Sequence, residues 1–205
     1  EEETQAMASG DSITDSSDSS VDVNNAVSAK IKGTDEENDL AVIAVEKSDI
    51  PEETAKAAKY MLVSYPLNPV CATANDAFYE ELIAFAKKYN IIILHDNAYS
   101  DIIYGGREGK SFLSYEGAKE VGVEFYSLSK SYNLTGARIS FVIGNQKIVD
   151  KFRSVRTQFD YGVFLPLQYG AAAALNGPQD AVLAQCEEYE RRNQAFCGGL
   201  RSIGW

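Results

Sequence analysis

Residues 122–144 read GVEFYSLSKSYNLTGARISFVIG. An apolar run, Gly122 to Leu128, leads into Lys130, which sits among Ser127, Ser129 and Ser131. A second run, Ala137 to Gly144, follows Gly136 and carries Arg138 near its start. Short runs rich in β-branched and aromatic residues, bounded by polar turns, predict strands buried in a sheet. The stretch therefore reads as strand, polar turn, strand, with a lysine amine in the turn.

Working outward, the same pattern repeats. IIILHD (91–96) is a near-continuous apolar strand, and YMLVSY (60–65) is a buried-strand candidate ended by the turn PLNP. NDAFYEELIAFAKKY (75–89) places Phe78, Leu82, Phe85 and Tyr89 at helical spacing, with Asn75 as the cap. Helices are predicted over 146–159, 163–177 and 179–200, and a short one follows Pro51. Ala41 to Val45 forms a further strand. Apolar strands alternating with helices define an α/β fold, a mainly parallel sheet with helices on both faces. Ligands of such sheets bind outside the carboxyl ends of the strands. Asn68, Asp96 and Lys130 follow three such ends, and Arg138 must reach back from the start of the fourth strand to the same place.

Charge divides the 205 residues unevenly. Residues 1–53 hold 15 acidic and 3 basic residues, against 15 and 16 in the remainder, so the net charge of −11 belongs to the first quarter. Residues 1–37 are poor in aromatics and rich in Ser, Asp and Glu, which predicts a flexible or poorly packed acidic segment ahead of a domain over 38–205. No basic stripe supports nucleic-acid binding. No run of about 18 apolar residues predicts a membrane span, and the acidic start is unlike a signal peptide. Cys71, Cys186 and Cys197 make no CxxC pair and read as reduced thiols, which gives a cytoplasmic expectation. The lone His95 excludes a His-rich metal site.

Three patterns mimic other chemistries. YGGREGKS (104–111) has only three residues between Gly105 and Gly109 where a P-loop needs four, and it reads as a surface turn. SLSK (127–130) matches the S-x-x-K of penicillin-binding serine enzymes, but no K-T-G follows. His95 and Asp96 are strand neighbours and point to opposite faces, so His95 reads as a core residue or one supporting the site from behind.

A lysine amine can form a Schiff base with an aldehyde. Pyridoxal 5′-phosphate (PLP) uses that reaction. It needs a lysine, an acid partner for its ring nitrogen, donors for its phenolic oxygen and a phosphate cradle. Lys130 can supply the imine and Asp96 the acid. Tyr99 can bond the phenolic oxygen, and Asn68 that oxygen or a substrate carboxylate. Ser127 and Ser129 can donate to phosphate, and Arg138 can bind it through its planar fork.

YPLNP, HDNAY and SLSKSYNLTGARIS resemble successive motifs of the class I/II, fold-type I PLP-dependent aminotransferases, over residues 50–205. The flanking text is most like the LL-diaminopimelate aminotransferase group. The resemblance implies an aspartate aminotransferase-like large domain and the roles just given for Asn68, Asp96, Tyr99, Ser127, Ser129, Lys130 and Arg138. It implies that Lys130 also moves the substrate Cα proton, that amino acid and 2-oxo acid substrates exchange an amino group, and that the full-length parent is a homodimer. A PLP lyase or decarboxylase would share the anchor residues, and a non-catalytic remnant of the fold is the other alternative.

The chain departs from the family in three ways. Val70 and Cys71 follow Asn68-Pro69 where the family continues Thr-Gly, and Ser140 replaces a glycine. GDSITDSSDSSVDVNN (10–25) has Ser and Asp where the family carries Pro and Tyr. Nothing matches the glycine-containing phosphate loop, the ring-stacking aromatic or the small domain with its carboxylate-binding arginine. The expectation is a partial large domain, with little or no turnover as this chain alone.

Overall fold

The structure, a computed structural model, describes residues 30–35, 40–44, 52–69, 71–105 and 107–205. The chain divides between Ala58 and Lys59 into two compact units. In the first, β1 (Lys30–Asp35) pairs antiparallel with β2 (Leu40–Ala44), with a register shift between Ile31 and Gly33, and α1 (Glu52–Ala57) follows. β2 is the strand expected near Ala41–Val45. Of residues 1–37, only β1 is described. The rest of the expected flexible segment, and the 10–25 stretch, lie outside the described residues.

The second unit is built on a four-stranded sheet in the order β3 (Tyr60–Ser64), β4 (Ile92–Asp96), β5 (Gly122–Ser127), β6 (Ser140–Gly144). The first three strands run parallel and β6 runs antiparallel to β5. That last direction corrects the expectation for Arg138. Ser127 pairs with Ser140, so β6 begins at the edge where the parallel strands end, and Arg138 arrives there without reaching back along a strand.

Register fixes the two faces of this sheet. Val63, Ile93, His95 and Glu124 point to one face and are buried. α2 (Asp76–Tyr89) covers them with a stripe of Tyr79, Leu82, Ile83 and Ala86. This stripe is offset from the spacing read in sequence: Leu82 is shared, Phe78 is exposed, and Phe85 and Tyr89 are half-buried. Asn75 caps the helix as expected, its side chain accepting from Phe78 N at 2.9 Å. Asn90 ends it in the left-handed conformation that Asn tolerates. On the opposite face, α5 (Gln146–Arg156) sets Phe152 edge-on to Phe125, with ring centroids 6.4 Å apart. Further along that face Tyr60 and Leu62 are 67% and 69% exposed. Among the described residues β3 is therefore an edge strand with one open face, where its composition predicts burial.

Two helices brace the region after β5. α6 (Leu165–Asn176) sets Ala171 and Leu167 against Leu128, which opens the lysine turn, and Ile139, which follows its loop. Leu128 is fully buried, which by area contributes roughly 1.5–3 kcal/mol. α7 (Asp180–Ser202) crosses nearby, and Gln185 Nε2 donates to the carbonyls of Lys130 at 2.9 Å and Ser131 at 3.3 Å.

Candidate active site

The short α3 (Ala118–Val121) ends where β5 begins, and Lys130 lies in α4 (Leu128–Ser131), a single turn that starts where β5 stops. Ser127 caps it, Oγ accepting from Ser129 N at 3.2 Å. The cap satisfies one free N–H of the turn and leaves the Ser127 hydroxyl proton able to donate elsewhere. Thr135 Oγ1 donates to Ser129 O at 3.0 Å and closes the following loop.

A cavity of about 520 Å³ opens in front of the turn. Four of the seven residues selected from sequence line it: Asn68, Tyr99, Ser129 and Lys130. Lys130 Nζ stands 5.8 Å from the Tyr99 ring centroid. Asn68 Nδ2 donates to Tyr99 Oη at 3.4 Å. The loops after β3 and β4 thus bring an amide and a phenol to the lysine. The described residues lining the cavity include the cations Lys130 and Arg107 and no Asp or Glu. Such a wall favours anionic ligands.

The other three do not line that cavity. Asp96 ends β4, exposed, on the same face as Ser64 and Ser127 by register, and its carbonyl accepts from Ser64 Oγ at 3.2 Å. Ser127 ends β5 on that face. Arg138 is exposed, has a left-handed backbone (φ +54°) and donates Nη1 to Thr135 O at 3.2 Å. All three sit at the same edge of the sheet, the carboxyl edge of the parallel strands.

Sequence reading missed several participants. Arg107, in the segment expected to be a plain surface turn, lines the lysine cavity and donates to Thr73 Oγ1 at 3.3 Å. It also lines an adjoining cavity of about 610 Å³, with Asp76, Lys110 and Tyr115. Gly109 holds this segment against the loop after β4, because a Cβ there would fall on the Ser100 carbonyl. Neither residue belongs to a periodic pattern, so no sequence signal marked them. Cys71, where the family carries glycine, lines the lysine cavity with φ +55°. An L-residue is strained in that region.

His95 is a core residue, as read from sequence. Tyr79 Oη and His95 Nε2 are 3.2 Å apart. The ring stacks on Phe112 at 5.5 Å. Nδ1 lies 3.3 Å from Glu124 Oε2, close but not aligned for a hydrogen bond. Glu124 accepts from Ser111 Oγ at 2.9 Å and Phe112 N at 2.7 Å. Burial alone pushes this carboxyl up, but His95, Asn97, Ser111 and the Phe112 N–H outweigh it and hold Glu124 below the usual carboxylate range. An acidic residue inside the apolar run GVEFY was a legible signal for such a partner set.

A mostly parallel sheet with a lysine turn at its carboxyl edge, facing a phenol and an amide, defines an α/β protein with an amine-bearing cavity at that edge. The profile of the family "Aminotransferase class I and II" matches residues 18–205, and the chain belongs to that family. It is 45% identical over 156 residues to an LL-diaminopimelate aminotransferase of Desulforudis audaxviator, covering 76% of this chain and 40% of the relative. It is 40% identical over 153 residues to the glutamate-pyruvate aminotransferase AlaC of Escherichia coli, covering 75% and 37%. The fold matches a probable N-succinyldiaminopimelate aminotransferase of Thermus thermophilus with TM-score 0.73 and 32% identity, over 78% of this chain and 43% of that one. It matches BacF of Bacillus subtilis with TM-score 0.73 and 36% identity, over 79% and 41%. The chain spans about 40% of the length of the curated relatives it matches.

Proposed function

We propose that the protein is a PLP-dependent aminotransferase in which Lys130 anchors the cofactor and an amino group passes from an amino acid to a 2-oxo acid. The observation that carries this reading is the Lys130 cavity, where amine, phenol and amide share a wall that has no carboxylate among the described residues. That donor set fits the group: an amine for its aldehyde, Tyr99 and Asn68 for its phenolic oxygen, and Ser129 toward its phosphate. When bound, PLP supplies the aldehyde and an electron-withdrawing ring.

Each residue then has a physical task. Lys130 Nζ anchors, and once freed takes the substrate Cα proton and returns it. Asp96 is assigned to the ring nitrogen, where a carboxylate keeps a pyridine protonated. Ser127 and Arg138, at the same sheet edge, are assigned with Ser129 to the phosphate. Diaminopimelate, alanine and glutamate are the first donors to examine, from the relatives' names. A homodimer is part of the proposal, supported by large exposed apolar residues on α6 and α7 such as Tyr169, Leu183 and Phe196. A cytoplasmic location is proposed from free cysteines. No helix among the described residues is long and apolar enough to cross a membrane.

The test supplies donors to the PLP-loaded chain with and without a 2-oxo acid acceptor. Turnover is expected to be slow in this chain alone, and whatever product forms beyond one equivalent of cofactor is expected only when the acceptor is present and is abolished by Lys130→Ala. Acceptor-independent product would make the protein a lyase or decarboxylase instead.

A further inference from the structure

We propose that Asp101 is a positioning residue that fixes the lysine turn to the loop carrying Tyr99. The inference rests on Lys130 being the cofactor lysine, and it concerns a residue outside the cavity lining.

The Tyr99 loop closes on itself through Ile102 N to Tyr99 O at 2.9 Å, with Asp101 within that turn. A single oxygen of Asp101, Oδ2, accepts two hydroxyls. One is Ser131 Oγ at 2.5 Å and the other Tyr126 Oη at 2.6 Å. Ser131 follows Lys130 directly and is only 1% exposed. Tyr126 precedes Ser127, the cap of the lysine turn. The carboxylate therefore grips the chain on both sides of Lys130. Short O–H···O⁻ bonds are among the strong ones, and burial together with the Asp101 carboxylate pushes the Tyr126 phenol up, which keeps it a donor.

A second tie joins the same two segments. On α7, Gln185 holds the Lys130 and Ser131 carbonyls, while its neighbour Cys186 donates Sγ to Ile103 O at 3.3 Å. Two independent ties between the lysine turn and the Tyr99 loop, made by side chains that do not themselves line the cavity, are what a site needs when the groups that hold one ligand come from different loops. A lysine has a long flexible stem, and a misplacement of about 1 Å can cost roughly a hundredfold in rate.

The experiment mixes the purified chain with PLP well below its thermal midpoint and quenches with borohydride over time. The adduct on Lys130 is quantified by peptide mass mapping. Asp101→Asn should slow adduct formation at least about tenfold, in line with a lost alignment. Adding Ser131→Ala to it should slow formation no further, because both act through one contact. Glu124→Gln, on the opposite face, serves as a control that lowers stability and leaves the rate unchanged. A wild-type rate in Asp101→Asn, or slowing matched by Glu124→Gln, overturns the inference and leaves the cofactor reading standing. Absence of any Lys130 adduct in the folded parent chain overturns the cofactor reading and this one with it. If Asp101→Asn does not fold, Tyr126→Phe removes one donor and is read by the same rates.

Discussion

His95 and Asp96 are adjacent in sequence and belong to two different worlds. His95 faces α2, fully buried, within a set of groups that includes Tyr79, Phe112, Ser111 and Glu124. Asp96 faces the other way, exposed, at the edge from which Lys130 and Arg138 also emerge. Most polar groups of the first cluster bond one another, as buried polar groups must, while His95 Nδ1 and Glu124 Oε2 approach to 3.3 Å without aligning. Beside that edge, Lys130, Tyr99, Asn68 and Arg107 set an amine, a phenol, an amide and a guanidinium around open space. The alternation of a strand separates the two: one residue holds the fold and the next opens onto the sheet edge that carries the lysine turn.

The largest expected effect breaks the closed cluster. Glu124→Ala strips the acceptor from Ser111 and the Phe112 N–H and leaves His95 facing a void, so it should cost about 3 kcal/mol in urea unfolding. Asp96→Asn, at an exposed position, should change stability by no more than about 0.5 kcal/mol. Similar losses from both would erase the distinction between the clusters.

Acid sharpens the same contrast. Glu124 is held below its ordinary pKa in the folded protein. Its stabilisation is therefore complete above the unfolded carboxylate value, about 4.3, and is lost as pH falls through the lower folded value. The parent's thermal midpoint should drop steeply in acid, and Glu124→Gln should flatten that profile. Asp76 is lowered too, by hydrogen bonds from Lys110 and Tyr115, but it is exposed, and Asp76→Asn should flatten the profile less. A profile unchanged by Glu124→Gln would remove the buried carboxylate from the account of stability.

A modest effect of the opposite sign lies on the open side. Cys71 holds a left-handed backbone conformation that costs an L-residue roughly 1–2 kcal/mol, against up to about 1 kcal/mol of entropy that glycine loses on folding. Cys71→Gly should stabilise the chain by about 0.5–1 kcal/mol in thermal unfolding. A loss of stability would mean that the Cys71 Sγ contact to Pro69 O outweighs the strain.

Much of this arrangement is legible in the sequence. The strands and helices of the second unit follow from apolar runs and helical spacing, and Asn75 announced the start of α2. Lys130 and Asn68 follow from the rule that parallel strands place ligands at their carboxyl ends, and Tyr99 from its place three residues after Asp96 at such an end. The direction of β6 does not follow. An apolar run reads alike in both directions, and the polar link from Ser129 to Arg138 gives no pattern for the single turn and tight loop that replace a crossover helix. The open face of β3 is hidden for a related reason: composition tells that a strand can be buried, and only its neighbours decide whether it is. Asp101 and Arg107 are loop residues whose partners, Ser131 and Thr73, lie about thirty residues away in the chain. Contacts of that kind leave no periodic trace.

The most direct test of the central claim is the site of PLP attachment. The chain is mixed with PLP, reduced with borohydride and mapped by mass spectrometry, with Lys130→Ala as the control. The account predicts one modified lysine, Lys130, and none in the variant. A folded chain that takes up no PLP, or takes it up equally in the variant, would contradict it.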